Sequence, residues 1–338
     1  MKVRISVELL ADERNFEALD DIACCFQTGR HVWDISAAEI DAFENSAWLT
    51  SEVESRAGRR NRAVFEKSVK HAVEQGTAQI DGGGEPPRRC QTRPVDITAD
   101  ADLSACLREL EQPARLFLED RGSDGRFIGC LVRAYERSSL QDALEASRAW
   151  VVLEHCGGAP GIKARVEEVL ERSSMVNVSR ERMMAMLDSD RFYPDHETDS
   201  MKTAKKIEGC GIFVHVLRKR ETENYLPVER LGELDSQYDA TRAAFARLTE
   251  QQRDHFDMKT GFELSRDKVR IPANQRDIYA SVTEQDKSAL VGGFGPSCGR
   301  IFGSVIRREE LDEVCSSQDE PTAECEMLEL VLAIEALL

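Results

Sequence analysis

Residues 182–190 read Arg-Met-Met-Ala-Met-Leu-Asp-Ser-Asp, an apolar run that ends in two carboxylates. The run from Met183 to Leu187 predicts a buried strand, and Asp188 and Asp190 follow it directly. Ligand sites in parallel α/β sheets lie at the carboxyl ends of the strands. Two hard oxygen donors spaced one residue apart are suited to Mg²⁺ or Mn²⁺. The stretch therefore predicts a metal-binding edge of a parallel sheet.

Three further apolar runs surround this one and share its strand-like character. Together the four predicted strands cover residues 115–119, 149–153, 183–187 and 212–217. The predicted helices between them cover about residues 124–137, 160–173 and 199–208. Strands that alternate with helices of this length are typical of a parallel, doubly wound sheet. We therefore predict an α/β protein with a Rossmann-like central domain.

Acidic residues follow each of these strands. Besides Asp188 and Asp190, the others are Glu119, Asp120, Asp124, Glu154, Glu221 and Glu223. Like charges at one edge of a sheet repel each other unless protons or a cation neutralise them, which favours a divalent metal ion. For a single acid such as Asp124, capping of the next helix is an equally good interpretation. Glu154 can be structural, and His155 and His215 are better explained as non-catalytic residues.

Composition shifts divide the chain into three predicted regions. Residues 1–112 form an amino-terminal α/β module, with a linker rich in glycine and proline near 76–97. Residues 113–232 form the central domain, and residues 233–338 form a helical carboxyl-terminal extension. The last apolar segment, 324–338, has helical spacing and is expected either to dock on the core or to form a dimer interface.

Charge and cysteine content narrow the function further. The formal net charge is −17, which argues against unaided, nonspecific binding to nucleic acid, because such binding depends on neutralised phosphates. The ten cysteines form no C-x-x-C pair, so a zinc site is not expected. Gly82-Gly83-Gly84 lacks the ending of a P-loop, so ATP hydrolysis by this chain is not expected. With no signal peptide and no membrane-spanning run, we expect a cytoplasmic protein that does not bind membranes.

Three segments carry a resemblance to a known family. Leu116-Phe117-Leu118-Glu119-Asp120, followed by the Asp188-x-Asp190 strand end, resembles the TOPRIM domain of topoisomerases, primases and OLD-family nucleases. The later Glu223-Asn224-Tyr225-Leu226 segment is similar to the OLD-like, defence-associated branch. The resemblance covers about residues 113–230, roughly the middle third of the chain.

The resemblance implies roles for individual residues. Glu119 corresponds to the acid that assists proton transfer and helps to hold metal, and Asp188 and Asp190 correspond to the metal-binding pair. Glu223 is implied as a further acid at the metal site. The chain departs from the family pattern after Glu119, where Asp120 replaces a glycine, so either Asp120 or Asp124 can be the remaining ligand. The family's catalytic lysine is not assignable, and the candidates are Lys202, Lys205, Lys206, Lys219 and Lys259.

The expected function is that of a Mg²⁺-dependent or Mn²⁺-dependent endonuclease that cleaves phosphodiester bonds in DNA or RNA. The resemblance further implies an anti-phage effector controlled by a separate ATPase of the ABC or AAA type, and a homo-oligomer is a further expectation. The alternatives are a non-catalytic regulatory subunit and a primase-like phosphotransfer enzyme, although the chain lacks the zinc module that a primase would use. The basic residues expected to face the substrate phosphates are Lys202, Lys205, Lys206, Arg218, Lys219 and Arg220.

Overall fold

The strand predicted at 183–187 is one of the two central strands of a four-stranded parallel sheet in a computed structural model of the chain. The strands of this sheet are β4 (Ala114–Leu118), β5 (Val151–His155), β6 (Met183–Leu187) and β7 (Phe213–Val216). Their spatial order is β5-β4-β6-β7. All four predicted strands are confirmed, and the protein is of the α/β class with parallel sheets.

The structure describes most of the chain, with six gaps. The described residues are 1–51, 55–80, 94–145, 149–173, 175–266, 268–315 and 325–338, with only the backbone described for 75–80.

Helices cover both faces of the central sheet. They are α6 (Ser123–Ala134), α7 (Ser138–Glu145), α8 (Ala159–Arg172) and α10 (Asp199–Glu208), whereas the short α9 (Val176–Glu181) packs Val178 into the core of the amino-terminal region. Along β6, Met184 and Met186 pack into one hydrophobic cluster, whereas Ala185 and Leu187 pack into another on the opposite face. Burial on both faces explains why β6 is apolar at every position rather than alternating. The three predicted helices between the strands are confirmed.

The amino-terminal region forms a second parallel sheet with its own core. Its strands are β1 (Lys2–Ile5), β2 (Val32–Trp33) and β3 (Val95–Ile97), in the order β2-β1-β3. Its helices are α1 (Phe16–Gln27), α2 (Ile40–Glu44), α3 (Ala47–Thr50), α4 (Arg56–Ile80) and α5 (Leu103–Glu111). The buried indole of Trp33 contacts four aromatic rings, which are those of Phe26, Phe43, Trp48 and Phe65.

The predicted linker near 76–97 is shorter in the structure. Helix α4 continues to Ile80 and strand β3 begins at Val95, so both ends of the predicted linker lie in regular structure. The glycine-rich part of the prediction falls within residues 81–93, which lie outside the described residues.

The carboxyl-terminal region contains short helices and one β-hairpin. The helices are α11 (Asp239–Ala246), α12 (Glu250–Asp254), α13 (Glu284–Ala289), α14 (Arg308–Cys315) and α15 (Glu326–Glu335). The hairpin pairs β8 (Glu263–Ser265) with β9 (Lys268–Arg270) and is an exception in a region that the sequence predicts to be mostly helical. None of the helices in the described ranges is long and apolar enough to cross a membrane.

Helix α15 docks on the core of the central sheet. Met327, Leu330, Val331 and Ile334 are fully buried in the same hydrophobic cluster as residues of β4 and β6. The buried carboxylate of Glu326 fixes the start of this helix. It accepts hydrogen bonds from the Tyr225 hydroxyl and, at 2.8 Å, from the backbone N–H of Arg218, and it pairs with the His215 ring at 3.1 Å.

Replacing Glu326 by alanine should destabilise the protein by about 3 kcal/mol, because three buried polar groups would lose their acceptor. Equilibrium urea unfolding measures this free energy. The matched control is Glu329→Ala, which breaks an exposed ion pair with Arg218 and should cost less than about 1 kcal/mol. Equal losses for the two variants would contradict the anchoring role of Glu326.

Candidate functional site

The site begins where the two central strands end. Glu119 follows β4 directly, Asp188 follows β6, and the two strands pair in parallel. The Glu119 carboxylate accepts a hydrogen bond from the backbone N–H of Asp188 at 3.2 Å. The side chain of Asp188 in turn accepts the backbone N–H of Thr222, also at 3.2 Å. The strand ends thus bring together two acids that lie far apart in sequence.

The structure places Asp120 and Asp124 differently. Asp120 is exposed, and its carboxylate accepts the backbone N–H groups of Gly122 and Ser123 at the start of α6. The hydrogen bond from Gly122 lowers the pKa of Asp120. Asp124 is buried and accepts the backbone N–H of Asp120 at 2.9 Å. Of the two, only Asp124 points inward, toward the acids that follow β6.

Asp190 lies at the outer end of the Asp-x-Asp pair. Its backbone adopts a left-handed conformation with φ of 54°, which aspartate tolerates better than most residues. Its N–H donates to the carbonyl of Arg220 at 3.0 Å, and its carboxylate accepts the hydroxyl of Ser200. The buried Ser189 between the two acids donates to the carbonyl of Lys219 at 2.6 Å. This loop is therefore fixed by the segment that follows β7.

That segment supplies two more buried acids and draws a distant lysine toward the site. Glu221 and Glu223 are buried, and Lys259 contacts both carboxylates at 2.9 Å. Burial alone would lower the pKa of Lys259, but the two glutamates raise it well above its ordinary value, and Asp188 adds to the rise. Of the five lysines suggested by the sequence, Lys259 is the one that faces several acids at this edge.

Burial and repulsion between like charges raise the pKa of three of these acids. Burial raises the pKa of Glu119 to about 7, and the charges of Asp190 and Asp124 add to the rise. Burial also holds the pKa of Asp188 well above its usual value, with Asp124 and Glu119 contributing repulsion. Asp124 itself is raised by burial to a pKa of about 6. Perturbed carboxyl groups at one edge of a sheet are characteristic of functional sites.

The acids at this edge are of the right chemical type for a metal ion, but they are not arranged as a complete set of ligands. Among the described residues, no three His, Cys, Asp or Glu side chains are arranged to hold a metal ion. One oxygen each of Glu119, Asp124 and Asp188 accepts a backbone N–H group. All donors are nevertheless hard oxygens, the type preferred by Mg²⁺. The buried Oε1 of Glu223 has no hydrogen-bond partner within the described ranges, so a cation could neutralise it.

The predicted phosphate-facing residues are mostly engaged in ion pairs. Lys202 pairs with Asp199, Lys205 with Glu197, Arg218 with Glu329, Lys219 with Asp254, and Arg220 with Asp257. Lys206 is exposed on α10. The backbone carbonyl of Arg220 accepts the N–H of Asp190, and its guanidinium stacks on Phe192 at 4.6 Å. One of its terminal nitrogens, Nη1, is buried without a partner in the described part of the chain.

Other polar residues of the strands have structural partners. Glu154 binds the guanidinium groups of Arg115 and Arg165, which supports the structural interpretation of this acid. His215 binds Glu326 in the anchor of α15, and His155 is exposed beside Asp120.

A basic hollow beside the hairpin was not expected from the sequence. It has a volume of about 360 Å³ and is lined partly by Lys268, Arg270, Arg276 and Lys287. The neighbouring Gln275 donates to the carbonyls of His255 and Phe192, which connects the hollow to the loop of Asp190. These basic residues are spread over 20 positions of a region with mixed charge, so no local sequence pattern indicates the hollow.

Comparisons with protein-family models, with curated proteins and with solved structures find no match to this chain.

The raised pKa values predict how stability depends on pH when no divalent cation is present. An acid whose pKa is higher in the folded state opposes folding as pH rises from its unfolded pKa to its folded pKa, so stability should fall between about pH 4.5 and 7. For Asp124 the rise from 3.8 to about 6 corresponds to about 3 kcal/mol. In Asp124→Asn the fall should be smaller by about 1–3 kcal/mol, measured by urea unfolding in EDTA.

Asp120→Asn is the matched control for this prediction. The pKa of Asp120 is lowered, so this group stays ionised over the whole range and its loss should leave the decline between about pH 4.5 and 7 unchanged. Parallel pH curves for wild type and Asp124→Asn would show that Asp124 is not buried among like charges.

Proposed function

We propose that this protein is a metal-dependent nuclease whose active site is the acidic edge of the central sheet, in a domain that resembles TOPRIM. The observation that carries the proposal is the contact of Glu119 with the backbone of Asp188 across neighbouring parallel strands. Around this contact, the charges of Asp124 and Asp190 act on Glu119. This arrangement supports phosphoryl transfer better than it supports a purely structural role, because such a cluster destabilises the fold in the absence of a cation.

The proposed metal ligands are Glu119, Asp124, Asp188 and Asp190, with Glu223 as a further acid behind them. Bound Mg²⁺ or Mn²⁺ would polarise a phosphodiester and lower the pKa of a bound water. The backbone of β4 and β6 orients Glu119 and Asp188 before any ligand binds. In this proposal Asp120 serves only to cap α6, since its carboxylate is turned toward the helix.

Glu119 also suits a proton-transfer role. The resemblance implies this role, and in the metal-free protein a pKa of about 7 lets this carboxyl exchange a proton near neutral pH. A bound cation would lower this pKa. The hydrogen bond from the backbone N–H of Asp188 fixes the orientation of the Glu119 carboxylate.

We assign the positive charge of the proposed site to Lys259. It is held by Glu221 and Glu223, and its charge also acts on Asp188 and Asp124. A fixed ammonium next to the reacting phosphate would stabilise the charge that develops in the transition state.

The substrate path in this proposal runs over Arg220 and the basic hollow beside the hairpin. The backbone of Arg220 binds Asp190. Gln275 precedes Arg276 of the hollow and donates a hydrogen bond to the carbonyl of Phe192, two positions after Asp190, so the hollow lies close to the same loop. These positions would bind the phosphates on either side of the cleaved bond. They also offset the acidic character of the whole protein, whose net charge of −17 repels a nucleic-acid backbone elsewhere.

Control by a separate ATPase protein remains part of the proposal, as the resemblance implies. The alternative is a regulatory subunit that keeps the fold without cleaving. The observation that favours this alternative is that carboxylates of the site are occupied by backbone N–H groups and by Lys259.

Asp188→Asn should abolish metal-dependent cleavage, with a loss of about 10²-fold or more, because it removes a central ligand charge. The assay measures cleavage of supercoiled plasmid and of structured RNA with Mg²⁺ or Mn²⁺. Calorimetry with Mn²⁺ gives a second readout, and binding should be lost in the same variant.

Asp199→Asn is the control, because Asp199 is an exposed acid that pairs with Lys202 outside the site. If the wild type binds Mn²⁺ but cleaves neither substrate, the regulatory alternative gains support. If it neither binds nor cleaves, the proposed function is overturned.

Lys259→Met should lower the cleavage rate by about 10²-fold while leaving substrate affinity nearly unchanged, because a charge that acts in the transition state affects kcat more than KM. Single-turnover kinetics at saturating enzyme separate the two effects. Lys70→Met is the control, since Lys70 is an exposed lysine of α4 in the amino-terminal region. A rise in KM with an unchanged kcat would show that Lys259 only binds substrate.

A further inference from the structure

A second cavity lies at the opposite edge of the central sheet. It has a volume of about 320 Å³ and is placed where β4 and β6 begin, next to Pro113 and Met183. One wall comes from α5 of the amino-terminal region and another from α8. The cavity therefore joins the two regions of the chain, and it takes no part in the acidic site described above.

Arginines dominate the lining of this cavity. They are Arg108, Arg115, Arg165, Arg172 and Arg182. The carboxylates that oppose them are fewer. Glu109 lies on the wall, Glu154 pairs with Arg115 and Arg165, and Glu168 pairs with Arg165 and Arg172. Five guanidinium groups thus face three carboxylates, which leaves an excess of two positive charges in a protein that is strongly acidic as a whole.

Arg182 is the clearest sign that an anionic partner belongs in the cavity. Its side chain is only 5% exposed, and its terminal nitrogen Nη1 donates to the carbonyls of Glu109 and Leu110. Its Nε is buried without a partner among the described residues. A buried guanidinium is normally paired with a charged group, and neutral carbonyls do not neutralise it.

Neighbouring positive charges further disfavour the charged form of Arg182. Burial lowers the pKa of Arg182 to about 10, and repulsion from Arg30 and Arg115 adds to the shift against the attraction of Glu109. The charge of Arg182 in turn contributes to lowering the pKa of the buried His31. An anion bound here would relieve these repulsions together.

We propose that this cavity is a binding site for a small molecule that carries two or more phosphate groups. Guanidinium groups bind phosphate oxygens through paired hydrogen bonds. Arg108 and Arg172 are exposed at the cavity, and Arg172 would exchange part of its exposed ion pair with Glu168 for such a contact. The volume lies at the lower end of the range for small-ligand pockets, so the ligand is a compact phosphate ester rather than a nucleic-acid strand.

The test uses the full chain and calorimetry with inorganic pyrophosphate and inorganic phosphate, in EDTA at constant ionic strength. EDTA removes divalent cations, so the acidic site cannot retain the probe through a metal ion. We expect pyrophosphate to bind more tightly than phosphate. In the double variant R108Q/R172Q its affinity should fall at least about tenfold, equivalent to about 1.4 kcal/mol.

Arg14→Gln is the matched control, because Arg14 is an exposed arginine paired with a nearby acid, as Arg172 is. Its pyrophosphate affinity should stay within about twofold of wild type. Asp188→Asn should also bind normally, which separates this site from the proposed nuclease centre. Absence of pyrophosphate binding to wild type, equal weakening in Arg14→Gln, or loss of binding in Asp188→Asn would each overturn the proposal.

Discussion

The parallel pairing of β4 with β6 is the constraint on which the proposed site depends. The register places Phe117 beside Ala185, so the strands end together and the acids that follow them must meet. The N–H of Asp188 then reaches the Glu119 carboxylate at 3.2 Å. The hydrogen bond lowers the cost of bringing the two acids together, but burial still raises the pKa of both. The fold therefore holds these acids in an environment that favours protons or a cation.

The segment after β7 packs against these acids and holds the loop of Asp190 in place. Ser189 and Asp190 are bound to the backbone of Lys219 and Arg220, and Glu223 faces the same region with one oxygen unpartnered in the described part of the chain. Lys259 compensates only part of the negative charge. Lys259 contacts Glu221 and Glu223, and its charge also acts on Asp188 and Asp124, while Glu119 and Asp190 lie at the same edge of the sheet. Such an imbalance is physically reasonable where a divalent cation binds, and it is difficult to explain in a site that stays empty.

The sequence was sufficient for the strands and helices of the central sheet because local signals agreed with the tertiary structure. Strand β6 is apolar throughout, and α10 begins after Thr198, whose hydroxyl accepts the N–H of Met201 at 3.2 Å. The exposed hairpin strand β8 has no apolar alternation that could indicate a strand.

The candidate site was predictable only where acids directly follow strands. The choice between Asp120 and Asp124 depends on how α6 begins, since the same two carboxylates could have exchanged the roles of cap and inward-facing acid. Lys259 lies 36 positions after Glu223, and its approach depends on the packing of the carboxyl-terminal loops. No spacing rule connects residues at such a separation, so the lysine could be proposed only as one of several candidates.

The two proposed sites lie at opposite ends of the same strands, which limits how they can influence each other. Arg182 precedes β6 and Asp188 follows it, so the two charges are separated by about 20 Å. At an effective dielectric constant of about 20, unit charges at that distance interact by only about 1 kcal/mol, and salt weakens the interaction further. A stronger coupling would have to be mechanical. It would pass through β6 itself, which is buried on both faces and has little freedom to move at one end without displacing the other.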